Sequence, residues 1–209
     1  MTTFLTADTH FGHGTMLTAQ KRPFASVEEM NEALIANWNA VVHPKDTVWH
    51  LGDFAMKMQA DQIADVFRRL NGRKHLILGN HDYYKDGTVL PALTRLPWES
   101  ISAAAQITHD GQRIMLSHYA HWAWNQSHRG SYQAYGHNHG SLPGLPGSVD
   151  VGVDCQGLKP ISVEEFIRQA EETVINAEKR VDLLVEILAN RLGHYREMAV
   201  AIRKRRESN

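Results

Sequence analysis

Five short polar islands interrupt the apolar runs of this sequence in a fixed order: Asp8-Thr9-His10, Gly52-Asp53, Gly79-Asn80-His81-Asp82, Ser117-His118 and Gly136-His137-Asn138-His139. Carboxylates, an amide and imidazoles grouped in this way suit divalent cations of the Mn²⁺, Fe or Zn²⁺ kind better than Mg²⁺ or Ca²⁺. The islands hold enough such groups for two cations, with the His81-Asp82 pair left over. A lone Asp-x-His or His-x-His is ordinarily a polar turn. Five islands in order, each after a strand-like apolar run, carry far more weight, because independent matches multiply. Several of the chain's 13 histidines fall inside them.

The islands can meet only if regular elements deliver them. Residues 3–7, 47–51 and 74–78 read as buried strands that end at the first three islands. Ser26 is an N-cap with Glu29 three residues on, opening a helix whose apolar positions are Met30, Ala33, Leu34 and Trp38. A second helix over residues 59–70 has Ile63, Val66, Phe67 and Leu70 as its buried stripe, and Asn71-Gly72 stops it. This alternation predicts a parallel βαβαβ core. Ligands of such sheets gather at the carboxyl ends of the strands. Residues 100–116 read as one hairpin around a His109-Asp110-Gly111 turn, and residues 132–135 and 148–153 as two further strands. Two packed sheets flanked by helices is the architecture expected.

From Ser162 the chain reads as helix almost to its end. Ile167, Ala170, Val174, Ala177, Val181, Leu184 and Leu188 form a heptad seam, which Leu192, Tyr195, Ala199 and Ile202 resume after a four-residue stutter. Such a seam must be buried on its own domain or on a second chain, so a homodimer through this helix is one expectation. Its last part is basic, and Arg203-Lys204-Arg205-Arg206 could hold an anionic partner.

Composition narrows the class. At 209 residues and a net charge of −1, the chain suits one globular domain with a small appendage and has no overall nucleic-acid or membrane footprint. Its single cysteine, Cys155, excludes an intramolecular disulfide framework and fits a reducing compartment as an inert thiol. The N-terminus has no secretory pattern, and no apolar run approaches the ~20 residues of a membrane helix. A cytoplasmic location with no membrane partner is expected.

The islands resemble the D-x-H, G-D, G-N-H-D/E, G-H and G-H-x-H pattern of the calcineurin-like metallophosphoesterase superfamily, from Phe4 to roughly Phe166. Ser117 stands where that pattern usually has Gly. His10-Phe11-Gly12-His13, Arg22-Pro23-Phe24, the run from Trp49 to Phe54, Ser117-His118-Tyr119 and the run from Asp150 to Asp154 are similar to a group of small bacterial and phage phosphoesterases within it. The resemblance implies a four-layer α/β/β/α sandwich as catalytic domain over residues 1–170. It leaves the long C-terminal helical extension, residues 171–209, unexplained. It implies that Asp8, His10, Asp53 and His139 hold a first metal and that Asp53, Asn80, His118 and His137 hold a second, with the Asp53 carboxylate bridging. Mn²⁺ is the foremost candidate, with Fe, Zn²⁺ or Ni²⁺ as alternatives.

The activity so implied is hydrolysis of a phosphodiester or phosphomonoester by water activated between the metals. His81 would assist the leaving group, with Asp82 fixing its ring. A nucleotide or nucleic acid is open as the phosphoester substrate; a metal-dependent nuclease is the alternative enzyme, and a non-catalytic interaction module on the same fold a further reading. For substrate contacts the candidates are His13, Arg22, His121, His128 and Arg129. Against them stand plain structural roles: a loop hydrogen bond for His13, a carbonyl anchor for Arg22. Trp122 and Trp124, in the segment 119–131, could stack a base or cap the core. His50 reads as a packed core residue.

Overall fold

Strand β1 (Thr3–Thr6) leads through a one-turn helix α1 (Thr15–Ala19) to α2 (Val27–Val41), β2 (Thr47–His50), α3 (Ala60–Arg69) and β3 (Arg73–Ile77). A short α4 (Pro91–Thr94) precedes β4 (Ser100–Ser102), β5 (Ala104–His109), β6 (Gln112–Ser117), β7 (Tyr132–Tyr135), β8 (Ser148–Asp150), β9 (Ile161–Ser162) and α5 (Val163–Ala177). The structure is a computed structural model describing residues 1–177 and, singly, Ala189, Arg191, Leu192, Arg196 and Met198. The expected heptad positions Val181, Leu184, Leu188, Tyr195, Ala199 and Ile202, the basic run 203–206, and most of the expected extension 171–209 lie outside the described residues.

Two sheets result, in the strand orders β4-β3-β2-β1-β9 and β5-β6-β7-β8. The strand period of two explains why there are two cores. Phe4, Val48 and Leu76 face the helices and pack with Met30, Leu34, Trp38, Ile63, Val66 and Phe67. Their neighbours Leu5, Leu51 and Ile77 face the second sheet and pack with Ile114, Leu116, Ala134 and Val149. From α5, Phe166 and Ala170 enter this inter-sheet core, and the helix touches β7 and β8 as well as β1 and β9. The layers run helix, sheet, sheet, helix, with β1, β2 and β3 parallel as the alternation predicts and β4 added parallel beside β3.

The expected cap is present with one shift. The Ser26 hydroxyl accepts from the Glu29 amide at 3.1 Å, while the Glu29 carboxylate accepts from Ala25 rather than from Ser26 itself. Such a cap contributes about 1 kcal/mol.

The expected single hairpin over residues 100–116 is two structures. Residues Ser100–Ser102 extend the first sheet beside β3, and only from Ala104 does the chain pair in the second. Periodicity does not break at Ala103, and which sheet a strand joins is decided by long-range pairing. The hairpin itself turns on two residues, since His109 pairs with Gln112 and both Asp110 (φ 46°) and Gly111 (φ 81°) are left-handed. Strand β9, antiparallel to β1 at the sheet edge, was not expected; Pro160, just before it, lacks the N–H that an interior strand needs.

Helix α5 crosses residue 170 without a break, and the Thr173 hydroxyl accepts from the Gly147 amide at 2.8 Å. Of the seam, Ala170 is buried and Ile167 packs on the inter-sheet core, whereas Val174 is exposed. No helix among the described residues is long and apolar enough to cross a membrane.

Candidate metal centre

Every island sits just past the carboxyl end of a strand: β1, β2 and β3 in one sheet, β6 and β7 in the other. The first two islands are tied to each other there, and the stretch after β8 joins the second sheet to the first. Asp8 donates its amide to Gly52 at 3.0 Å, His10 donates to Asp53 at 3.0 Å, and Val153 donates to Ala7 at 3.0 Å. Gly136 can have no side chain, because a Cβ would lie 2.5 Å from that of Ala7 and 2.6 Å from Asp8 Oδ2. Five of the seven expected ligands have left-handed backbones: Asp8 (57°), His10 (49°), Asp53 (59°), His137 (69°) and His139 (47°). Such conformations are uncommon outside glycine and cost about 1–3 kcal/mol each. The fold spends that strain where the side chains must converge.

The seven candidates are brought together in two groups. Ligand atoms of Asp8, His10 and His139 lie within 4.8 Å of one another, as do those of Asp53, His118 and His137. Asp53 Oδ2 lies between the groups, 3.5 Å from His10 Nε2 and 3.5 Å from His118 Nε2. Asn80 Oδ1 is 3.1 Å from His118 Nε2. The other Asp53 oxygen is anchored by the His81 amide at 2.8 Å.

The His118 Nδ1 faces the Leu51 carbonyl at 2.7 Å and must carry the proton, so Nε2 holds a lone pair. That lone pair meets Asn80 Oδ1 and Asp53 Oδ2 with no hydrogen among them. Asp8 Oδ1 and His10 Nε2 are likewise buried without a hydrogen-bond partner among the described residues. Burial, with His139, Arg22 and the other nearby histidines, pushes His10 down to about 2, so it is neutral. Burial together with the charges of Asp53 and Asp150 raises the Asp8 carboxyl well above its ordinary range. A buried cluster this rich in imidazole nitrogens and carboxylates, with unpartnered polar atoms in it, fits a pair of divalent cations.

Residues behind the ligands hold them in register. Arg22 is buried and fully engaged. Its guanidinium grips both Asp154 oxygens at 2.8 Å and donates to the carbonyls of Asp8 at 2.7 Å and Thr9 at 2.8 Å. Its fifth donor meets Met30 Sδ at 3.6 Å, so among the described residues every guanidinium N–H is engaged, which favours the anchoring role over a substrate contact. Asp154 also accepts from His139 Nδ1 at 2.7 Å, which frees Nε2 of that ring. Burial alone would raise the Asp154 carboxyl, but the bonds from Arg22 and His139 outweigh it and hold it at about 2.

Asp82 also differs from expectation. Its carboxylate accepts from the amides of Gly79 (2.8 Å), Asp53 (2.9 Å) and Phe54 (3.2 Å), and among the described residues it has no hydrogen bond to the His81 ring. Asp82 therefore ties the second and third islands together rather than orienting His81. Burial pushes its carboxyl up to about 7 against the pull of those amides. The His81 ring is half-buried and packs edge-on to His10 at 5.3 Å and to His13 at 5.8 Å. His50 is a core residue whose Nε2 meets the Thr9 hydroxyl at 2.9 Å, beneath the first island.

The remaining substrate candidates divide. His13 lies at the site, its Nδ1 3.2 Å from His10 Nδ1. His121 is tied through its amide to Gln133, and His128 and Arg129 are exposed on a 3-10 turn. No hydrogen bond or ring contact joins these three to a candidate ligand among the described residues. The Trp124 indole donates to Ser131 at 2.9 Å, a packing role, while Trp122 is exposed. Tyr119 is the aromatic group at the centre, with ring centroids 5.0 Å from His118 and 4.7 Å from His137.

Sequence reasoning passed over Asp154, Asp150 and Gln133. A ligating imidazole needs an acceptor for its other nitrogen, and the acidic pair in the run from Asp150 to Asp154 was the available signal. Gln133 is buried in β7 and donates to the Ser117 hydroxyl at 3.1 Å, which in turn donates to the Tyr119 carbonyl at 2.8 Å. Ser117 thus has a use where the family pattern usually has Gly.

Residues 1–144 match the model of the calcineurin-like phosphoesterase superfamily domain. The chain belongs to this superfamily. It is 31% identical over 177 residues to an uncharacterized protein of Methanocaldococcus jannaschii, covering 81% of this chain and 91% of that one. It is also 31% identical over 200 residues to the gene 66 protein of Mycobacterium phage D29, covering 81% and 97%. A crystal structure of a protein of unknown function from Aquifex aeolicus superposes with a TM-score of 0.64 at 24% identity, covering 80% of this chain and 98% of that one, and shares the fold. The family is metal-dependent, and this structure carries two clusters of candidate ligands.

Proposed function

We propose that the protein is a dinuclear-metal phosphoesterase acting on a phosphodiester or phosphomonoester. The observation that carries this reading is the meeting of two ligand clusters at Asp53 Oδ2, beside buried Asp8 Oδ1 and His10 Nε2 atoms that have no hydrogen-bond partner among the described residues. Bound at those clusters, two divalent ions, Mn²⁺ foremost, would supply Lewis-acid stabilisation and an activated water. The chain's own residues set the rest. Asp53 is held by the His81 amide so that one oxygen faces both clusters. Lys57, exposed and left-handed (φ 59°), carries a positive charge that acts on the buried His13, which favours an anionic ester. The exposed Tyr119 ring offers a face for an aryl group or base.

The test is titration of metal-free protein with Mn²⁺ while following bis(p-nitrophenyl) phosphate. Turnover should rise to saturation as two ions bind. Absence of turnover with each of Mn²⁺, Zn²⁺, Ni²⁺ and Fe²⁺ would favour a non-catalytic interaction module.

His81 is the proposed proton donor to the leaving oxygen, since its ring lies beside His10 yet belongs to neither ligand cluster. Replacing it with Asn should lower kcat by about 10²–10⁴-fold, the usual worth of general acid catalysis. Mn²⁺ stoichiometry should stay at the wild-type value. Loss of both ions in that variant would make His81 a ligand or a structural support instead.

A further inference from the structure

We propose that His13 is a positioning residue that accepts the Nδ1 proton of His10 when a cation binds that ring's Nε2; this rests on the dinuclear centre argued above. An imidazole can bind a cation through Nε2 only if its proton sits on Nδ1. Two of the site histidines have that proton fixed by groups that can only accept. His139 Nδ1 faces Asp154 at 2.7 Å, and His118 Nδ1 faces the Leu51 carbonyl at 2.7 Å. His10 is different. Its Nδ1 faces another ring nitrogen, His13 Nδ1, at 3.2 Å.

One hydrogen must lie between those two nitrogens, and either ring can carry it. With a cation at His10 Nε2, the hydrogen belongs to His10, and His13 Nδ1 accepts it while keeping its own proton on Nε2. Without a cation the order can reverse, leaving an N–H on His10 Nε2 facing Asp53 Oδ2 at 3.5 Å. Carboxylates and carbonyls cannot make that exchange. His13 therefore acts as an amphoteric partner whose hydrogen bond reverses with occupancy of the first cluster.

The surrounding chain holds His13 to this task. Its amide donates to the His10 carbonyl at 3.0 Å, and its carbonyl accepts from Met16 at 3.0 Å. The preceding Gly12 donates to the Asn31 side chain at 3.0 Å. The ring is buried between His10, centroids 5.1 Å apart, and His81 at 5.8 Å. The nitrogen-to-nitrogen contact follows from the backbone of this loop.

Three variants separate acceptor chemistry from shape. In His13→Asn the amide oxygen can occupy the place of Nδ1 and accept; in His13→Gln it reaches the place of Nε2; His13→Ala has neither. Mn²⁺ binding is measured by calorimetry on the full chain, and Co²⁺ absorption reports the ligand set. His13→Asn should bind within about threefold of wild type, while His13→Gln and His13→Ala weaken one of the two sites by roughly 10–100-fold, the usual cost of losing a ligand's hydrogen-bond partner. Melting of the metal-free proteins checks folding; should His13→Ala not fold, the Asn and Gln pair decides. Equal isotherms for all three variants and wild type would overturn the proposal, as would His13→Asn binding as weakly as His13→Gln. Wild-type protein that binds no Mn²⁺ would overturn the dinuclear centre and this inference with it.

Discussion

Replacing Asp53 with Asn is expected to remove both metal sites at once and to reduce turnover by at least the ~10²–10³-fold that loss of a single preorganised electrostatic contact costs. One oxygen of this carboxylate reaches both clusters, with Oδ2 3.5 Å from His10 Nε2 and 3.5 Å from His118 Nε2. The fold should survive. Asn keeps an oxygen to accept from the His81 amide, and its NH₂ can donate to the two imidazole lone pairs. The negative charge that helps raise the Asp8 carboxyl also disappears. Metal-free D53N should thus melt no lower than metal-free wild type. Adding Mn²⁺ should stabilise wild type by about 2.7 kcal/mol per site at a hundredfold excess over Kd, and D53N not at all. Calorimetry and thermal melts with and without Mn²⁺ measure both halves. A two-site isotherm in D53N would show that Asp53 does not bridge.

Replacing Arg22 with Met should instead strike stability. The guanidinium joins Asp154 to the carbonyls of Asp8 and Thr9; Arg22 is buried and the Asp154 side chain nearly so. Removing one member of such a pair leaves an uncompensated buried charge and costs about 3–5 kcal/mol. The expected loss depends on pH in a defined direction. Asp154 has its folded value held at about 2, below the ~3.9 of an unfolded aspartate, so its contribution is complete above that unfolded value and is lost as pH falls toward about 2. Urea unfolding at neutral pH should show the full difference between wild type and R22M, and unfolding near pH 3 a smaller one. Turnover should also fall, because Asp154 orients His139. Arg22 as a phosphate contact would give the opposite pattern, a higher KM at unchanged stability, and that result would end the anchoring role.

These two residues mark how far the sequence could be read. Asp53 stood out because Gly52-Asp53 follows an apolar strand, and strand ends in a parallel sheet converge on one edge. Arg22 stood out by its Pro23-Phe24 context, yet its role was undecided, since the acceptor that settles it, Asp154, lies 132 residues away. Asp82 misled for the same reason. Adjacency to His81 suggested a side-chain pair, whereas the 3-10 turn Asn80–Asp82 sends its carboxylate inward to three backbone amides. The split at Ala103 escaped because β4 and β5 have similar patterns and differ only in which sheet they join.

The sequence by itself determined the layers, the parallel order of the first strands and the type and spacing of the candidate ligands. Each of these is written in local periodicity and in short motifs at strand ends. Only the tertiary structure decided which nitrogen of each imidazole is held, that Arg22 and Asp82 support loops, and that His13 rather than His121, His128 or Arg129 stands beside the ligands. The physical reason is that a hydrogen bond is set by direction and distance between groups far apart in the chain. Five left-handed ligand backbones show the same thing: the strain is local, but the contacts that stabilise it come from other strands.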